Sequence, residues 1–175
     1  MITVGDRFPG FEMNACVSTE AGNEFATLDH TTHKGQWRVI FFWPMDFTSV
    51  CPTEVAEFGR LNDEFAARNA QVLGISTDTE YVHLAWRQNH PLLTNLPFPM
   101  LADTKRALTQ ACGIMDSDGV ALRATYIVDP DNVVQFTMVT GDSVGRNVQE
   151  VLRVLDAAQT GQDTPCGWKP GDATL

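Results

Sequence analysis

The feature that most constrains the fold is the run WRVIFFW at residues 37–43, in which Arg38 is the only charged residue. Aromatic and β-branched residues in nearly unbroken succession, without alternating polar positions, are typical of a strand covered on both faces. Such a strand needs an apolar layer on each side of its sheet. The run therefore predicts a central strand sandwiched between helices.

A loop and a helix are predicted directly after this strand. The loop begins at Pro44, and apolar residues then recur at helical spacing over about residues 49–67. We expect Thr48 or Ser49 to cap this helix, with Pro52 in its first turn.

The rest of the chain predicts an α/β fold of thioredoxin-like kind, with a central mixed sheet flanked by helices. The further elements are a strand at 71–77, a helix at 80–89, two strands at 121–128 and 133–139 joined as a hairpin, and a helix at 143–158. We expect residues 1–158 to form one domain. Residues 159–175 are rich in Gly, Pro and Thr, lack periodicity, and are predicted to form a C-terminal arm.

Charge and hydropathy exclude several classes of partner. The chain has 22 acidic and 12 basic residues, a formal net charge of -10, and such a surface repels nucleic acids and anionic membranes. No apolar stretch approaches the roughly twenty residues needed to span a bilayer, and the first ten residues do not resemble a signal peptide. We therefore predict a cytoplasmic protein that binds neither nucleic acid nor membrane.

The cysteines predict free or redox-active thiols. The four of them, at positions 16, 51, 112 and 166, form no Cys-x-x-Cys pair and, with the four histidines, no cluster of zinc-site form. A chain of this size without an export signal does not need a disulfide framework. The sequence thus predicts no metal site and no cofactor.

Cys51 occupies the position with the most chemical meaning, the first turn of a helix that follows a buried strand. Unpaired backbone N–H groups and the positive end of the helix dipole stabilise a thiolate there and raise the fraction of reactive anion. Thr48, three residues upstream, can direct its hydroxyl at the sulfur. The alternative is that Thr48 only caps the helix and Cys51 only fills core volume.

Arg123 is a second candidate because it interrupts the apolar strand sequence ALRATYIV. Strand alternation places it on one face with Thr125 and Ile127. A guanidinium buried in such a strand needs an anion nearby. The alternative is an arginine on an edge strand that points into solvent.

The spacing Pro44-x-x-x-Thr48-x-x-Cys51 resembles the active-site motif of the peroxiredoxins. The surrounding segment FFWPMDFTSVCPTE is similar to the alkyl hydroperoxide reductase C branch, whose members are typical two-cysteine enzymes. The likeness extends over nearly the whole chain, through blocks at residues 83–86 (HLAW), 96–103 (LPFPMLAD), 123–130 (ending IVDP) and 145–157 (GRNVQEVLRVLDA).

This resemblance implies a thiol-dependent peroxidase that reduces hydrogen peroxide and organic hydroperoxides. It implies that the Cys51 thiolate attacks the peroxide and becomes a sulfenic acid. Pro44 would cover the thiolate, Thr48 and Arg123 would bind the peroxide oxygens, and Glu54 would orient Arg123.

The resemblance also implies that Cys166, just before Trp168, resolves the sulfenic acid to a disulfide. Here the chain departs from the family pattern, because the resolving cysteine usually stands four residues before the tryptophan, where this chain has Thr164. An unremarkable thiol in the arm is the alternative for Cys166. We expect Cys16 and Cys112 to be inert packing residues.

Further implications of the resemblance concern partners. It implies a homodimer that assembles into a ring, and an electron donor that is a thioredoxin-like protein or a flavin-dependent reductase. Three other functions are alternatives for which the residues give little support. A holdase chaperone has no distinct motif, a thioredoxin-type thiol-disulfide oxidoreductase would need a Cys-x-x-Cys pair, and a cysteine hydrolase would need a histidine base beside Cys51.

Overall fold

A seven-stranded mixed sheet forms the centre of the computed structural model, which describes residues 1–175. The strands are β1 (Glu12–Cys16), β2 (Phe25–Asp29), β3 (Trp37–Phe42), β4 (Ala70–Ser76), β5 (Met100–Ala102), β6 (Arg123–Val128) and β7 (Val134–Thr140). The helices are α1 (Cys51–Arg60), α2 (Asn62–Ala66), α3 (Glu80–Asn89), α4 (Ala107–Ala111) and α5 (Val148–Thr160). Across the sheet the strand order is β2-β1-β5-β4-β3-β6-β7.

The prediction that residues 37–43 form a central strand is confirmed. β3 pairs in parallel with β4 on one side and antiparallel with β6 on the other, so that Val39 lies opposite both Val72 and Ile127. Every residue from Arg38 to Phe42 is buried. The predicted hairpin is also present, as the antiparallel pair β6 and β7. The thioredoxin-like α/β architecture is therefore confirmed.

Two apolar cores cover the two faces of the sheet, as the unbroken hydrophobicity of β3 requires. Alternation along β3 sends Val39 and Phe41 into a core formed with α1, α2, α3 and α5. Ile40 and Phe42 point into the other core, which includes α4 and the N-terminal segment. Cys51 belongs to the first core, at the end of the sheet where β3 finishes.

The predicted helix at 49–67 is in fact two helices. α1 ends at Arg60 and α2 begins at Asn62, with Leu61 between them at φ -95° and ψ 5°. Asn62 and the residue after it have low helix propensity, which weakens the helix at this point.

The predicted capping of this helix is wrong. The N-cap residue is Val50, which makes no side-chain capping hydrogen bond, although Pro52 lies in the first turn as predicted. The hydroxyl of Thr48 instead lies within hydrogen-bonding distance of the Met45 carbonyl and of the Cys51 sulfur.

The last helix begins later than predicted. α5 starts at Val148 rather than near residue 143, because Asn147 caps it by accepting a hydrogen bond from the Glu150 N–H at 3.1 Å. The chain before the cap is extended or turned, and it carries Arg146 to the centre of the molecule.

The C-terminal segment lies against α5. The guanidinium of Arg153 donates to the Trp168 carbonyl at 2.8 Å, and the Trp168 indole, 6% exposed, donates to the Asp172 carbonyl. The division of the chain into a domain at 1–158 and an arm at 159–175 stays a prediction. None of the helices has the length and apolar character needed to cross a membrane.

Gly74 provides a test of the packing over β3 and β4. A Cβ atom at this position would lie 2.8 Å from the Trp43 ring and 3.0 Å from the Phe41 ring. We predict that Gly74→Ala lowers the free energy of unfolding by about 1–3 kcal/mol, since two buried rings must move. The matched control is Gly141→Ala, where nothing lies within 4 Å of the added atom. Urea denaturation measures both, and equal stabilities of the two variants would contradict this description of the core.

Candidate active site

Cys51 is the first residue of α1, and its side chain is fully buried. Two predicted site residues contact its sulfur. The Thr48 hydroxyl oxygen lies 2.8 Å from Sγ, and Nη1 of Arg123 lies 3.2 Å from Sγ. A helix N-terminus, a hydroxyl and a guanidinium thus meet at one sulfur atom, and each of them stabilises a negative charge there.

The Thr48 hydroxyl has two acceptors and one hydrogen. It lies 3.0 Å from the Met45 carbonyl oxygen as well as 2.8 Å from the Cys51 sulfur. When the sulfur is a thiolate, the hydroxyl can donate to it. When the sulfur is protonated, the thiol can donate to Thr48, which then donates to the carbonyl. The side chain therefore accommodates both protonation states of Cys51.

Arg123 lies in the interior of the sheet, so the alternative of a solvent-exposed edge arginine is wrong. Its strand β6 runs between β3 and β7, and the residue is 4% exposed. Nη1 donates to Cys51 Sγ and also to a Glu54 carboxylate oxygen at 2.8 Å, while Nε donates to the Asp142 carbonyl. Burial alone lowers the pKa of Arg123, but the Cys51 and Glu54 charges outweigh it and raise the pKa. The guanidinium stays charged.

Glu54 follows Cys51 by three residues, so both side chains lie on the same side of α1. The residue is 3% exposed, and its carboxylate binds Arg123 through one oxygen and Arg146 through both. Burial alone raises the pKa of Glu54, but the hydrogen bonds and charge of Arg146, together with the charge of Arg123, bring the pKa below its ordinary value. The predicted contact between Glu54 and Arg123 is present.

Arg146 is a member of the site that the sequence analysis did not identify. Its backbone N–H donates to Glu54 at 2.8 Å, and its guanidinium donates to the carbonyls of Phe42 and Ala124 at 2.6 and 2.9 Å. The guanidinium also lies 5.2 Å from the centre of the Phe41 ring. Arg146 thereby ties α1 to β3 and β6. The only signal in the sequence was its place in the block GRNVQEVLRVLDA, where no role was assigned to it.

The loop between β3 and α1 is anchored by a buried polar network. Pro44 is half-buried in this loop. Asp46 accepts a hydrogen bond from the Trp43 indole at 2.8 Å, and its other carboxyl oxygen lies 2.6 Å from His83 Nδ1. His83 Nε2 in turn lies 3.0 Å from the Leu101 carbonyl oxygen. Burial raises the pKa of Asp46, partly offset by His83. His83 is thus a satisfied core residue that connects the loop to α3 and β5.

The remaining cysteines lie outside this constellation, and all four thiols are free. Cys16 and Cys112 are buried, and burial raises the pKa of both, that of Cys112 to about 12. Cys166 is exposed in the C-terminal segment and forms no disulfide with Cys51. No group of three or more His, Cys, Asp or Glu side chains is arranged to hold a metal ion.

Replacement of Glu54 tests the electrostatics of the site. We predict that Glu54→Gln lowers the free energy of unfolding at pH 7 by about 3–5 kcal/mol, because two buried cations lose their carboxylate. The pKa of Glu54 is lower in the folded state than in the unfolded chain. The stabilisation of the fold by the ionised carboxylate is therefore complete above the ordinary pKa of 4.5, and it is lost as the pH falls below that value. Denaturant titrations at several pH values measure the difference.

The matched control for Glu54→Gln is Glu57→Gln, on the same helix. Glu57 pairs with Arg60 at the surface, where water and salt screen the pair. We therefore expect Glu57→Gln to lower the free energy of unfolding only slightly. An equal effect of the two substitutions, or a difference from wild type that does not shrink in acid, would contradict the ion network described above.

Comparison with known proteins shows the family to which this chain belongs. The profile described as the AhpC/TSA family matches residues 4–137. The chain is 51% identical to alkyl hydroperoxide reductase C of Mycobacterium tuberculosis, over all of this chain and 94% of that protein. It is 52% identical to the protein of the same name from Mycolicibacterium smegmatis, with the same coverage.

Solved structures agree with this comparison. Mycobacterium bovis AhpC superimposes with a TM-score of 0.89 at 50% identity, over 97% of this chain and 99% of that one. The reduced 2-Cys peroxiredoxin of Plasmodium vivax superimposes with a TM-score of 0.92 at 31% identity, over 99% of this chain and 93% of that one. This chain therefore belongs to the AhpC/TSA family of peroxiredoxins.

Proposed function

We propose that this protein is a thiol-dependent peroxidase that reduces hydrogen peroxide and organic hydroperoxides at Cys51. The observation that carries the proposal is the pair of donors on one buried sulfur, Thr48 at 2.8 Å and Arg123 at 3.2 Å. The family supports the same activity, since the relatives described above are named alkyl hydroperoxide reductases and peroxiredoxins.

In the first step, the Cys51 thiolate attacks one oxygen of the hydroperoxide. A sulfur–oxygen bond forms, the oxygen–oxygen bond breaks, and the other oxygen takes a proton and leaves as water or an alcohol. The sulfur is oxidised to a sulfenic acid and the peroxide is reduced.

The surrounding groups stabilise the charge that moves during this step. The Arg123 guanidinium, fixed by Glu54 and the Asp142 carbonyl, donates to the sulfur before the reaction and to the peroxide oxygens as negative charge develops on them. The Thr48 hydroxyl can turn from the sulfur to the same oxygens. We also propose that Pro44, which is half-buried in the loop before α1, covers the thiolate and excludes water from it.

In the second step, we propose that the Cys166 thiol of a partner subunit condenses with the Cys51 sulfenic acid. A disulfide forms and water leaves. The exposed position of Cys166 supports its availability for this reaction. Because Cys51 is fully buried, the first turn of α1 must unwind before the two sulfurs can meet.

The remaining steps involve other molecules. A thioredoxin-like protein or a flavin-dependent reductase would attack the disulfide with a thiolate and return both cysteines to the reduced state. A homodimer that assembles into a ring would bring Cys166 of one chain to Cys51 of the next. We place this chemistry in the cytoplasm, where such reductants operate.

Substitution of the reactive cysteine tests the proposed function. We predict that Cys51→Ser abolishes hydroperoxide reduction, because a serine hydroxyl is neither ionised at neutral pH nor able to form a sulfenic acid. Consumption of hydrogen peroxide by the reduced protein, in single turnover, is the measurement. The control is Cys112→Ala, which removes another buried thiol and should keep the rate. A Cys51→Ser protein that still consumes peroxide at the wild-type rate would reject the proposal.

Cys166 lies two residues before Trp168 rather than the four that are usual in the family, so its role needs a separate test. After one equivalent of hydrogen peroxide, mass mapping should find a Cys51–Cys166 disulfide between two chains, and Cys166→Ser should stop after one turnover with a physiological reductant. The control is the double variant Thr164→Cys with Cys166→Thr, which moves the thiol to the position that is usual in the family. We expect this exchange to restore turnover, because it moves the thiol by only two residues along the C-terminal segment. Undiminished multiple turnover by Cys166→Ser would show that another thiol resolves Cys51.

A further inference from the structure

A cluster of basic side chains lies at the other end of β3 from Cys51. Five basic residues line a cavity of about 340 Å³ there, and Asp131 is its only acidic lining residue. They are Arg7, His30, His33, Lys34 and Arg38. The chain as a whole has a net charge of -10, so three arginine and lysine side chains around one cavity run against its composition. We call these five residues the basic cluster.

Arg38, at the start of β3, is a buried cation without a carboxylate partner. The residue is 4% exposed, and its guanidinium donates only to neutral acceptors, the His30 carbonyl at 3.4 Å and the Asn132 side-chain oxygen. It also lies 6.0 Å from the centre of the Phe8 ring. These contacts fix the guanidinium but leave its charge uncompensated, whereas Arg123 at the active site has Glu54.

The nearby carboxylate of Asp129 forms no hydrogen bond or ion pair with the Arg38 guanidinium. It attracts Arg38 only through space, and its oxygens accept hydrogen bonds from the backbone N–H groups of Asp131 and Val133 and from the Gln135 side chain. The turn between β6 and β7 thus uses the Asp129 carboxylate for its own structure. Burial lowers the pKa of Arg38, with Asp129 opposing that change.

His33, also in the basic cluster, has a ring nitrogen that lacks a hydrogen-bond partner. This atom, Nε2, is buried. Burial and the charge of Arg38 lower the pKa of His33, against an opposing contribution from Gln36. Buried polar atoms are nearly always paired, so an orphaned imidazole nitrogen beside an uncompensated guanidinium indicates a missing hydrogen-bonding group.

We propose that the basic cluster binds a phosphate-type oxyanion, either inorganic phosphate or the phosphoryl group of a small monoester. A phosphoryl group supplies the negative charge that Arg38 lacks and several acceptor oxygens at once. Protonated at Nε2, His33 can donate to it, and Lys34 and Arg7, both exposed at the rim, add charge. The cavity is at the lower end of the volumes of small-molecule sites, which suits a ligand of this size.

Ligand-dependent thermal stability of the full-length protein tests the proposal. Inorganic phosphate and glycerol 2-phosphate are titrated separately, with sodium chloride at matched ionic strength as the reference. We expect a saturable rise in Tm beyond that given by sodium chloride with at least one of the two probes. The probe that saturates at the lower concentration identifies whether free phosphate or a monoester is preferred.

Paired variants assign the effect to the basic cluster. The double substitution Arg7→Gln with Lys34→Gln should weaken binding about tenfold, because it removes two rim charges while leaving buried Arg38 in place. The matched control is Lys105→Gln with Lys169→Gln, which removes two exposed charges elsewhere and should keep wild-type affinity. His33→Gln should weaken binding as well.

Two results would overturn the proposal. One is that neither probe raises Tm beyond the sodium chloride reference. The other is that the rise is the same in the cluster variant and in the control variant, which would show general screening of the negative net charge rather than a site. Neither result bears on peroxide reduction, since no residue of the basic cluster contacts the Cys51 site.

Discussion

The carboxylate of Glu54 is the interaction on which the candidate site depends. It lies between two buried guanidiniums, and without it Arg123 and Arg146 would place two uncompensated positive charges in the core. Desolvation of an unpaired ion costs several kcal/mol, more than any single hydrogen bond at the site returns. The pairing therefore makes it possible to hold a charged Arg123 next to a fully buried sulfur.

This arrangement connects the sheet to the sulfur through rigid elements. Arg123 is on β6, an interior strand of the sheet, and Glu54 and Cys51 are on α1. Arg146 binds the backbone of β3 and β6 before α5 begins. On the opposite side, the Asp46–His83 pair fixes the loop between β3 and α1. The donors on Cys51 are thus held in position by packing on both sides before any peroxide arrives, which is the condition for electrostatic catalysis.

Much of this could be predicted from the sequence because the relevant patterns are local. The unbroken apolar run at β3 and the position of Cys51 after it depend only on neighbouring residues. The peroxiredoxin-like spacing identified Pro44 and Thr48, and Arg123 was identified because it interrupts an apolar strand sequence. Arg146 could not be predicted in the same way. Its partners lie up to 104 residues away along the chain, and an arginine in a polar segment has no pattern that marks it as buried. The short strands β1, β2 and β5 were missed because three to five residues carry too little periodicity.

Glu54 thus acts on Cys51 through Arg123. The most direct measurement is the second-order rate constant of the reduced protein with hydrogen peroxide, for wild type, Glu54→Gln, Arg123→Gln and the double variant. We predict strong non-additivity: each single variant is slow, and Glu54→Gln lowers the rate constant little further once Arg123 has been replaced. If the two losses simply multiply in the double variant, Glu54 acts independently of Arg123 and does not activate Cys51 through it.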